Sequence, residues 1–181
     1  MNTFKEFYTE TSPHRSTALL PGGFKPPTRG HFNALQYMLD NAEDGIVFIG
    51  KKERNGITAE MSKQIWDIYA KYCKRPITVV IADVSPVRSV YEYVDANIDK
   101  AVIVGAGSKE EDVKRFEYFE KHVDKYPLVH ILTIPMQSQG VSGSETRRLI
   151  ASNIDDALEY FIPDELNETD RDLVKNILLS V

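Results

Sequence analysis

Residues 19–35, LLPGGFKPPTRGHFNAL, combine residue types that suit a phosphate-binding corner. An apolar run ends in Gly22 and Gly23, and Thr28 and His31 follow where a helical pattern begins. Because glycine lacks a Cβ, a phosphate can approach main-chain N–H groups that a side chain would shield. Thr28 is placed to be the helix N-cap, which makes His31 the third helical residue. We therefore expect the hydroxyl, the imidazole and free amides to converge on one anion.

Positive charge is expected at the same corner. Lys25 adds a mobile cation, and the helix start contributes the equivalent of roughly half a positive charge. Gly30, between Thr28 and His31, leaves a clear path to that helix start. Taken singly, these residues are ordinary turn, cap and surface residues, but their combination after a first strand indicates phosphate binding.

A second polar corner lies at residues 139–150, QGVSGSETRRLI. Ser142 and Glu145 fit an S-x-x-E capping box at a helix start. The box does not explain Arg147 and Arg148, because cations are disfavoured near the positive end of a helix. A bound anion would resolve that conflict. We expect Arg148 to face solvent or an acidic neighbour.

The first corner resembles the signature of the nucleotidylyltransferase superfamily, a glycine-rich turn followed by HxGH, or by TxGH in phosphopantetheine adenylyltransferase. The chain has the threonine form, TRGH, at residues 28–31. The second corner resembles the I-S-G-T-x-x-R signature, with Val141 in the first place. Its SGSETRR form is similar to archaeal nicotinamide mononucleotide adenylyltransferases.

The resemblance implies roles for residues at both corners and after a fourth strand. Catalysis would depend on His31, Lys25 and Arg147. The nucleotide would contact Gly22, Gly23, Phe24, Thr28, Gly30, Gly105, Gly107, Ser142, Gly143 and Ser144. Gly105 and Gly107 form only a partial G-x-G-x-x-G, with Glu110 in the third place, so a Rossmann dinucleotide fingerprint is disfavoured. In DVSPVRSVYEYV, Arg88 could bind an acceptor phosphate and Tyr91 could stack on a ring, or the aromatic residues could belong to the core.

The implied reaction is attack by an acceptor phosphate on the α-phosphorus of a nucleoside triphosphate, with release of pyrophosphate. A phosphate monoester has a second pKa of about 6, so no protein base is needed. No metal-ligand cluster is evident, and Mg²⁺ is expected to arrive with the nucleotide. The SGSETRR form favours ATP and nicotinamide mononucleotide, giving NAD. The alternatives are a cytidylyltransferase, a phosphopantetheine-type adenylyltransferase, or a nucleotide-binding sensor without catalysis.

The elements that would hold these corners alternate along the chain. The runs TALLPGG, GIVFIG, ITVVIAD, KAVIVGAG and VHILTIPM predict five strands, separated by helical patterns that include one over Val113, Phe116, Phe119 and Val123. The pattern predicts a doubly wound α/β fold, a five-stranded parallel, Rossmann-like sheet. We expect residues 1–16 to be an N-terminal extension. The resemblance implies that residues 17–150 are the α/β nucleotidylyltransferase domain, and we expect residues 151–181 to be a helical segment of the same domain, split by Pro163.

Composition and charge limit the kinds of partner that the protein can have. The chain has 181 residues, 42% of them apolar, and a net charge of −5, which disfavours extensive nucleic-acid binding. No apolar run approaches the roughly 20 residues that a membrane span requires. Lys5, Glu6 and Glu10 interrupt the apolar core that a secretory signal would need, so we expect no export signal. With a lone Cys73, we expect a cytoplasmic protein. Its partners would be a nucleoside triphosphate and a small phosphorylated acceptor, and a homo-oligomer remains open.

Overall fold

The computed structural model describes residues 15–135 and 141–180. The strands are β1 (Ser16–Gly22), β2 (Asp44–Ile49), β3 (Ile77–Ile81), β4 (Ala101–Ala106) and β5 (Val129–Thr133). The helices are α1 (Arg29–Leu39), α2 (Ala59–Ala70), α3 (Pro86–Ala96), α4 (Glu110–Lys114), α5 (Glu117–Lys121), α6 (Gly143–Ser152), α7 (Ile154–Phe161) and α8 (Glu168–Leu179). In this part of the chain no helix is both long and apolar enough to cross a bilayer.

The five strands form one parallel sheet in the order β3-β2-β1-β4-β5. The chain moves outward from β1 to β3, then returns to place β4 on the other side of β1, where Leu19 of β1 pairs with Val104 of β4. The winding direction therefore reverses between β1 and β4. In sheets of this kind, ligands bind in the crevice outside the carboxyl ends of the strands at that point. The predicted doubly wound α/β fold is confirmed.

Apolar side chains on the two faces of the sheet form two separate cores. Along β1, Ala18 and Leu20 enter the core beneath α1, α2 and the C-terminal helices, while Leu19 enters the core beneath α3, α4 and α5. Trp66 of α2 is fully buried in the first core. Burial on both faces explains why these strands are continuous apolar runs rather than alternating ones.

The C-terminal helices pack onto the first core. Phe161 and Val174 are fully buried there. Pro163 lies between α7 and α8, as expected from the sequence. A second break, at Asn153, was not expected: its side chain accepts the N–H groups of Asp155 and Asp156 and caps α7.

The helical pattern over residues 113–123 is not one helix, contrary to the sequence prediction. The chain leaves helical geometry at Phe116, which has φ −114° and ψ 5°, and α4 and α5 are separate short helices. Phe116 and Phe119 both fill the second core, but Val123 is 59% exposed. The spacing therefore identified two of the buried residues but overstated the length of the helix.

Candidate active site

A cavity of about 620 Å³ lies at the carboxyl ends of β1 and β4. Eight of the residues predicted to bind nucleotide or act in catalysis line it: Gly22, Gly23, Phe24, Thr28, Gly30, His31, Gly105 and Gly107. A second cavity, of about 440 Å³, is lined by residues such as Arg15, Asp44 and Lys100, and it contains none of the predicted residues. The structure thus brings the first corner to the end of β4, which contains Gly105, and to the loop after β4, which contains Gly107, at the switch point of the sheet.

Phe24 forms a wall behind the catalytic candidate. Its ring packs edge-on against His31, with 4.9 Å between ring centroids, and against Trp66 at 5.4 Å. A Cβ on Gly22 would come within 2.5 Å of the Phe24 ring, so a larger residue at Gly22 would displace it. Phe24 itself has φ 50°, in the left-handed region. The first glycine therefore makes room for the ring that supports His31.

The imidazole of His31 is held by the helix cap. Its Nδ1 accepts the N–H of Thr28 at 3.0 Å, in the manner of the Glu or Gln of a capping box. The Thr28 hydroxyl also lies 3.0 Å from Nδ1, so it contacts the imidazole. Because Nδ1 accepts, the ring proton resides on Nε2, which is left as a hydrogen-bond donor. Burial lowers the pKa of His31 to about 4, and the ring is neutral at pH 7.

Lys25 is not a mobile cation, contrary to the sequence prediction. It is 4% exposed, and its Nζ donates to the carbonyls of Gly23 and Gly50, both at 2.7 Å. Burial, followed by the charge of Arg54, lowers the pKa of Lys25 to about 8. Lys25 is not among the residues that line the cavity. It ties the loop after β1 to the loop after β2 from behind the cavity wall.

The capping box predicted at the second corner is half formed. The Ser142 hydroxyl accepts the N–H of Glu145 at 3.4 Å, but the Ser142 N–H donates to the hydroxyl of Tyr160. The Glu145 carboxylate instead pairs with Arg148, and hydrogen bonding to Arg148 lowers the pKa of Glu145. Arg148 therefore faces an acidic neighbour, as expected.

Arg147 joins the two corners. Its Nη1 donates to the carbonyl of Lys25 at 2.9 Å, so its charge near the start of α6 is stabilised without a bound anion. Val141 lines the cavity, whereas Ser142, Gly143, Ser144 and Arg147 do not. The Ser142 and Ser144 hydroxyls are hydrogen-bonded to each other at 2.8 Å. The second corner thus lies directly beside the first, with Val141 at the cavity and Ser142, Gly143, Ser144 and Arg147 outside its lining.

Arg88 and Tyr91 are not brought to the cavity. Arg88 pairs with Glu92 one helical turn along α3, with 2.7 Å between Nε and the carboxylate. The Tyr91 ring stacks on Phe119 at 4.4 Å, and its hydroxyl donates to the Arg115 carbonyl. Tyr91 therefore matches the alternative reading of α3 as an amphipathic helix with aromatic core residues.

Four cations at the cavity were missed by the sequence analysis: Lys52, Arg54, Lys109 and Arg115. Arg115 pairs with Asp112, but in the part of the chain that the structure describes Lys52, Arg54 and Lys109 form no ion pair. Reciprocal main-chain hydrogen bonds between Arg54 and Ile57 hold Arg54 on a tight turn. For Lys52 and Arg54, the sequence signal was the KKERNG segment after β2, in which basic residues adjoin an Asn-Gly turn.

The cavity suits an anion better than a resident metal ion. Among residues 15–135 and 141–180, no three His, Cys, Asp or Glu side chains gather as a metal site. Of these residues, Asp112 contributes the one carboxylate in the cavity lining, and Arg115 neutralises it at 3.3 Å. A phosphorylated ligand would meet amides, an imidazole donor and unpaired cations.

Comparison with known proteins identifies structures of the same fold. No family model matches the sequence, and the curated proteins contain no significant match. Plasmodium falciparum nicotinic acid mononucleotide adenylyltransferase, solved with APC, matches 92% of this chain and 96% of its own, with TM-score 0.61 and 16% identity. A bifunctional NMN adenylyltransferase/ADP ribose pyrophosphatase from Francisella tularensis, solved with AMP and a manganese ion, matches 92% of this chain, with TM-score 0.59 and 16% identity.

A second structure of the Francisella protein gives TM-score 0.59 at 12% identity. This chain spans about half the length of the Francisella protein, 52% and 49% in the two structures. At these identities the likeness establishes a shared fold.

Proposed function

We propose that this chain is a nucleotidyltransferase, which transfers a nucleoside monophosphate from a nucleoside triphosphate to a phosphorylated acceptor. The observation that carries the proposal is the neutral imidazole of His31 at the switch-point cavity, with Nδ1 held by Thr28 and Nε2 left to donate. The shared fold supports it, because the similar structures are named as adenylyltransferases.

The reaction requires alignment more than acid–base chemistry. An oxygen of the acceptor phosphate attacks the α-phosphorus and forms a new P–O bond. The bond from the α-phosphorus to the oxygen that bridges to the β-phosphate breaks, and pyrophosphate leaves with that electron pair. The acceptor phosphate is already ionised at neutral pH, so the protein positions the reactants and stabilises developing charge.

Different residues of the two corners would position the reactants and stabilise the developing charge. His31 donates from Nε2 to an oxygen of the α-phosphate, and the glycine-rich loop offers main-chain amides. Arg147, Ser142 and Ser144 hold the β- and γ-phosphates once a nucleotide lies between the starts of α1 and α6. Lys25, buried beside the cavity, adds positive electrostatic potential that favours the binding of the phosphates. The nucleotide base would lie beside Gly105 and Gly107.

Lys52 and Arg54 replace Arg88 as candidates for the acceptor phosphate. Both line the cavity from the loop after β2, and neither has an acidic partner in the described residues. An arginine can bind a phosphate with two parallel N–H groups, and its planar guanidinium loses less conformational freedom per hydrogen bond than a lysine side chain does. Magnesium would enter as part of the nucleotide substrate, bound by its phosphates.

The substrates most strongly favoured are ATP and nicotinamide mononucleotide, yielding NAD. The SGSETRR form of the second corner and the names of the similar structures support this choice. A cytidylyltransferase and a phosphopantetheine-type adenylyltransferase remain the enzymatic alternatives, since Thr28 gives the TxGH form. A sensor that binds nucleotide without turnover is the alternative from another class.

Pyrophosphate release from a substrate panel tests the proposal. ATP or CTP is combined with nicotinamide mononucleotide, nicotinic acid mononucleotide, phosphopantetheine or glycerol phosphate, with magnesium present. We expect release with one pair, and its loss in His31→Ala purified in parallel excludes a contaminating enzyme. ATP binding without release from any pair would favour the sensor. A protein that neither binds a nucleotide nor releases pyrophosphate would overturn the proposal.

A further inference from the structure

Helix α7 contacts both corners of the site through one residue, Tyr160. The Tyr160 carbonyl accepts a hydrogen bond from Arg29 Nη2 at 2.5 Å, and Arg29 is the first residue of α1. The Tyr160 hydroxyl accepts the N–H of Ser142, the N-cap of α6, at 3.3 Å. The start of each helix at the proposed nucleotide site is therefore attached to the same residue of the C-terminal segment.

The attachment of α1 is charge-assisted. Arg29 Nη2 donates to the carbonyls of Glu159 and Tyr160, each at 2.5 Å, and Nη1 lies 3.5 Å from Asp164. These carbonyls belong to the last turn of α7, where helical carbonyls have no partner within the helix and a cation is favoured. The Arg29 side chain is only 20% exposed. Because Arg29 follows Thr28 directly, this contact also anchors the cap that holds His31.

Helix α7, which carries Tyr160, is anchored in the first core. Ala157 and Phe161 are fully buried in the first core, and Leu158 is 7% exposed. The Tyr160 ring is partly buried against the same core. Because packing restricts the Tyr160 side chain, the distance between its hydroxyl, which contacts Ser142, and its carbonyl, which contacts Arg29, varies little.

The hydroxyl of Tyr160 contacts the residue at which α6 begins. The N–H of an N-cap residue takes no part in the hydrogen bonds of its helix, so the Ser142 amide needs an outside partner. We propose that Tyr160 is a positioning residue that sets the spacing between the starts of α1 and α6, and thereby the fit of the site to a triphosphate. This inference rests on the proposed function.

Tyr160→Phe tests the inference because it removes the hydroxyl and keeps the ring. We expect faster hydrogen exchange in the peptide that spans residues 141–150. We also expect the dissociation constant and the KM for magnesium ATP to rise roughly two- to tenfold, which corresponds to the loss of one neutral hydrogen bond. The melting temperature and kcat should change much less. A purely structural role would lower the melting temperature and leave the KM unchanged.

Tyr72→Phe is the matched control. The Tyr72 hydroxyl accepts the N–H of Asn167, the N-cap of α8, at 3.2 Å, and it is not among the residues that line the cavity. Like the Tyr160 hydroxyl, the Tyr72 hydroxyl accepts the N–H of a helix N-cap, and the helix concerned has no proposed role in the site. The Tyr72 hydroxyl also donates to the Asp170 carboxylate at 2.7 Å, so a loss of stability in Tyr72→Phe can come from that bond as well. We expect Tyr72→Phe to leave the affinity for ATP unchanged, even if it lowers stability.

The outcomes separate this inference from the proposed function. If the protein binds ATP but never releases pyrophosphate, the transferase proposal fails and the ATP dissociation constants of the two variants still decide the role of Tyr160. Unchanged hydrogen exchange or an unchanged ATP dissociation constant in Tyr160→Phe would overturn the inference. An equal loss of ATP affinity in Tyr72→Phe would overturn it as well, because the effect would then be general.

Discussion

Arg147 donates a hydrogen bond to the main-chain carbonyl of Lys25 at 2.9 Å, across 122 positions of sequence. This bond joins the polar corner after β5 to the one after β1. A guanidinium has five N–H donors, so Arg147 can hold the Lys25 carbonyl and still offer donors to a phosphate. The two stretches that the sequence marks as phosphate-binding are thus directly connected.

Replacing Arg147 by alanine should weaken nucleotide binding. We expect the KM for the nucleoside triphosphate to rise about tenfold or more, because a charged donor to phosphate is lost. Loss of the bond to Lys25 should also cost roughly 1–3 kcal/mol of unfolding free energy. Steady-state kinetics and urea unfolding measure both effects.

Arg148→Ala is the control for that change. Arg148 neighbours Arg147 and has the same charge, but it is exposed and pairs with Glu145. Its loss should leave the nucleotide KM within about twofold, since exposed ion pairs contribute little. Equal effects of the two substitutions, or an unchanged KM in Arg147→Ala, would contradict the assignment.

The two adjacent glycines should respond differently to alanine. A Cβ on Gly22 would lie 2.5 Å from the Phe24 ring, whereas a Cβ on Gly23 has no atom within 4 Å. Gly22→Ala should therefore cost about 1–3 kcal/mol of unfolding free energy by overpacking, and Gly23→Ala less than about 0.5 kcal/mol. Urea unfolding of both variants makes the comparison, and equal losses would rule out Phe24 as the cause.

His31 has a catalytic and a capping role that can be separated. His31→Ala should lower kcat roughly 10²- to 10³-fold, the loss typical of one transition-state donor, and also remove the acceptor for the Thr28 N–H. His31→Gln can restore that acceptor, as in a capping box, so it should recover stability but not kcat. Turnover of His31→Ala within twofold of the unchanged protein would remove His31 from the catalytic role.

The pKa of His31 makes stability depend on pH. It is about 4 in the folded chain against an ordinary value of 6.5, so the unfolded chain binds more protons between these limits. The free energy of unfolding should therefore fall as the pH decreases from 6.5 towards 4. Urea unfolding across this range should show a shallower fall in His31→Gln, which cannot titrate. Identical pH profiles would show that the histidine is not buried in the way described.

Lys52 and Arg54 should affect the acceptor selectively. Lys52→Ala and Arg54→Ala should each raise the KM of the phosphorylated acceptor, by roughly tenfold for loss of one charge-assisted contact, and change the nucleotide KM less. Lys51→Ala is the control, because Lys51 lies outside the cavity lining and pairs with Asp83 at 3.2 Å. A rise in the nucleotide KM alone would assign these cations to the triphosphate instead.

Local patterns in the sequence were sufficient to predict the sheet and the first corner. Alternating apolar runs and helical spacing record which residues are buried, and a glycine-rich turn followed by Thr28 and His31 marks a helix start after a strand. These features involve residues within a few positions of one another. They therefore survive as signals in a single sequence, and the fold class and the cap at Thr28 were predicted from them.

Partners distant in the chain were decided only by the tertiary structure. Lys25 is buried because Gly50, in the loop after β2, supplies a carbonyl. Tyr91 packs against the second core because Phe119 stacks on its ring. The contact of Tyr160 with both corners arises in the same way. A sequence shows that a side chain is charged or aromatic, but which group satisfies it depends on how the separate elements pack.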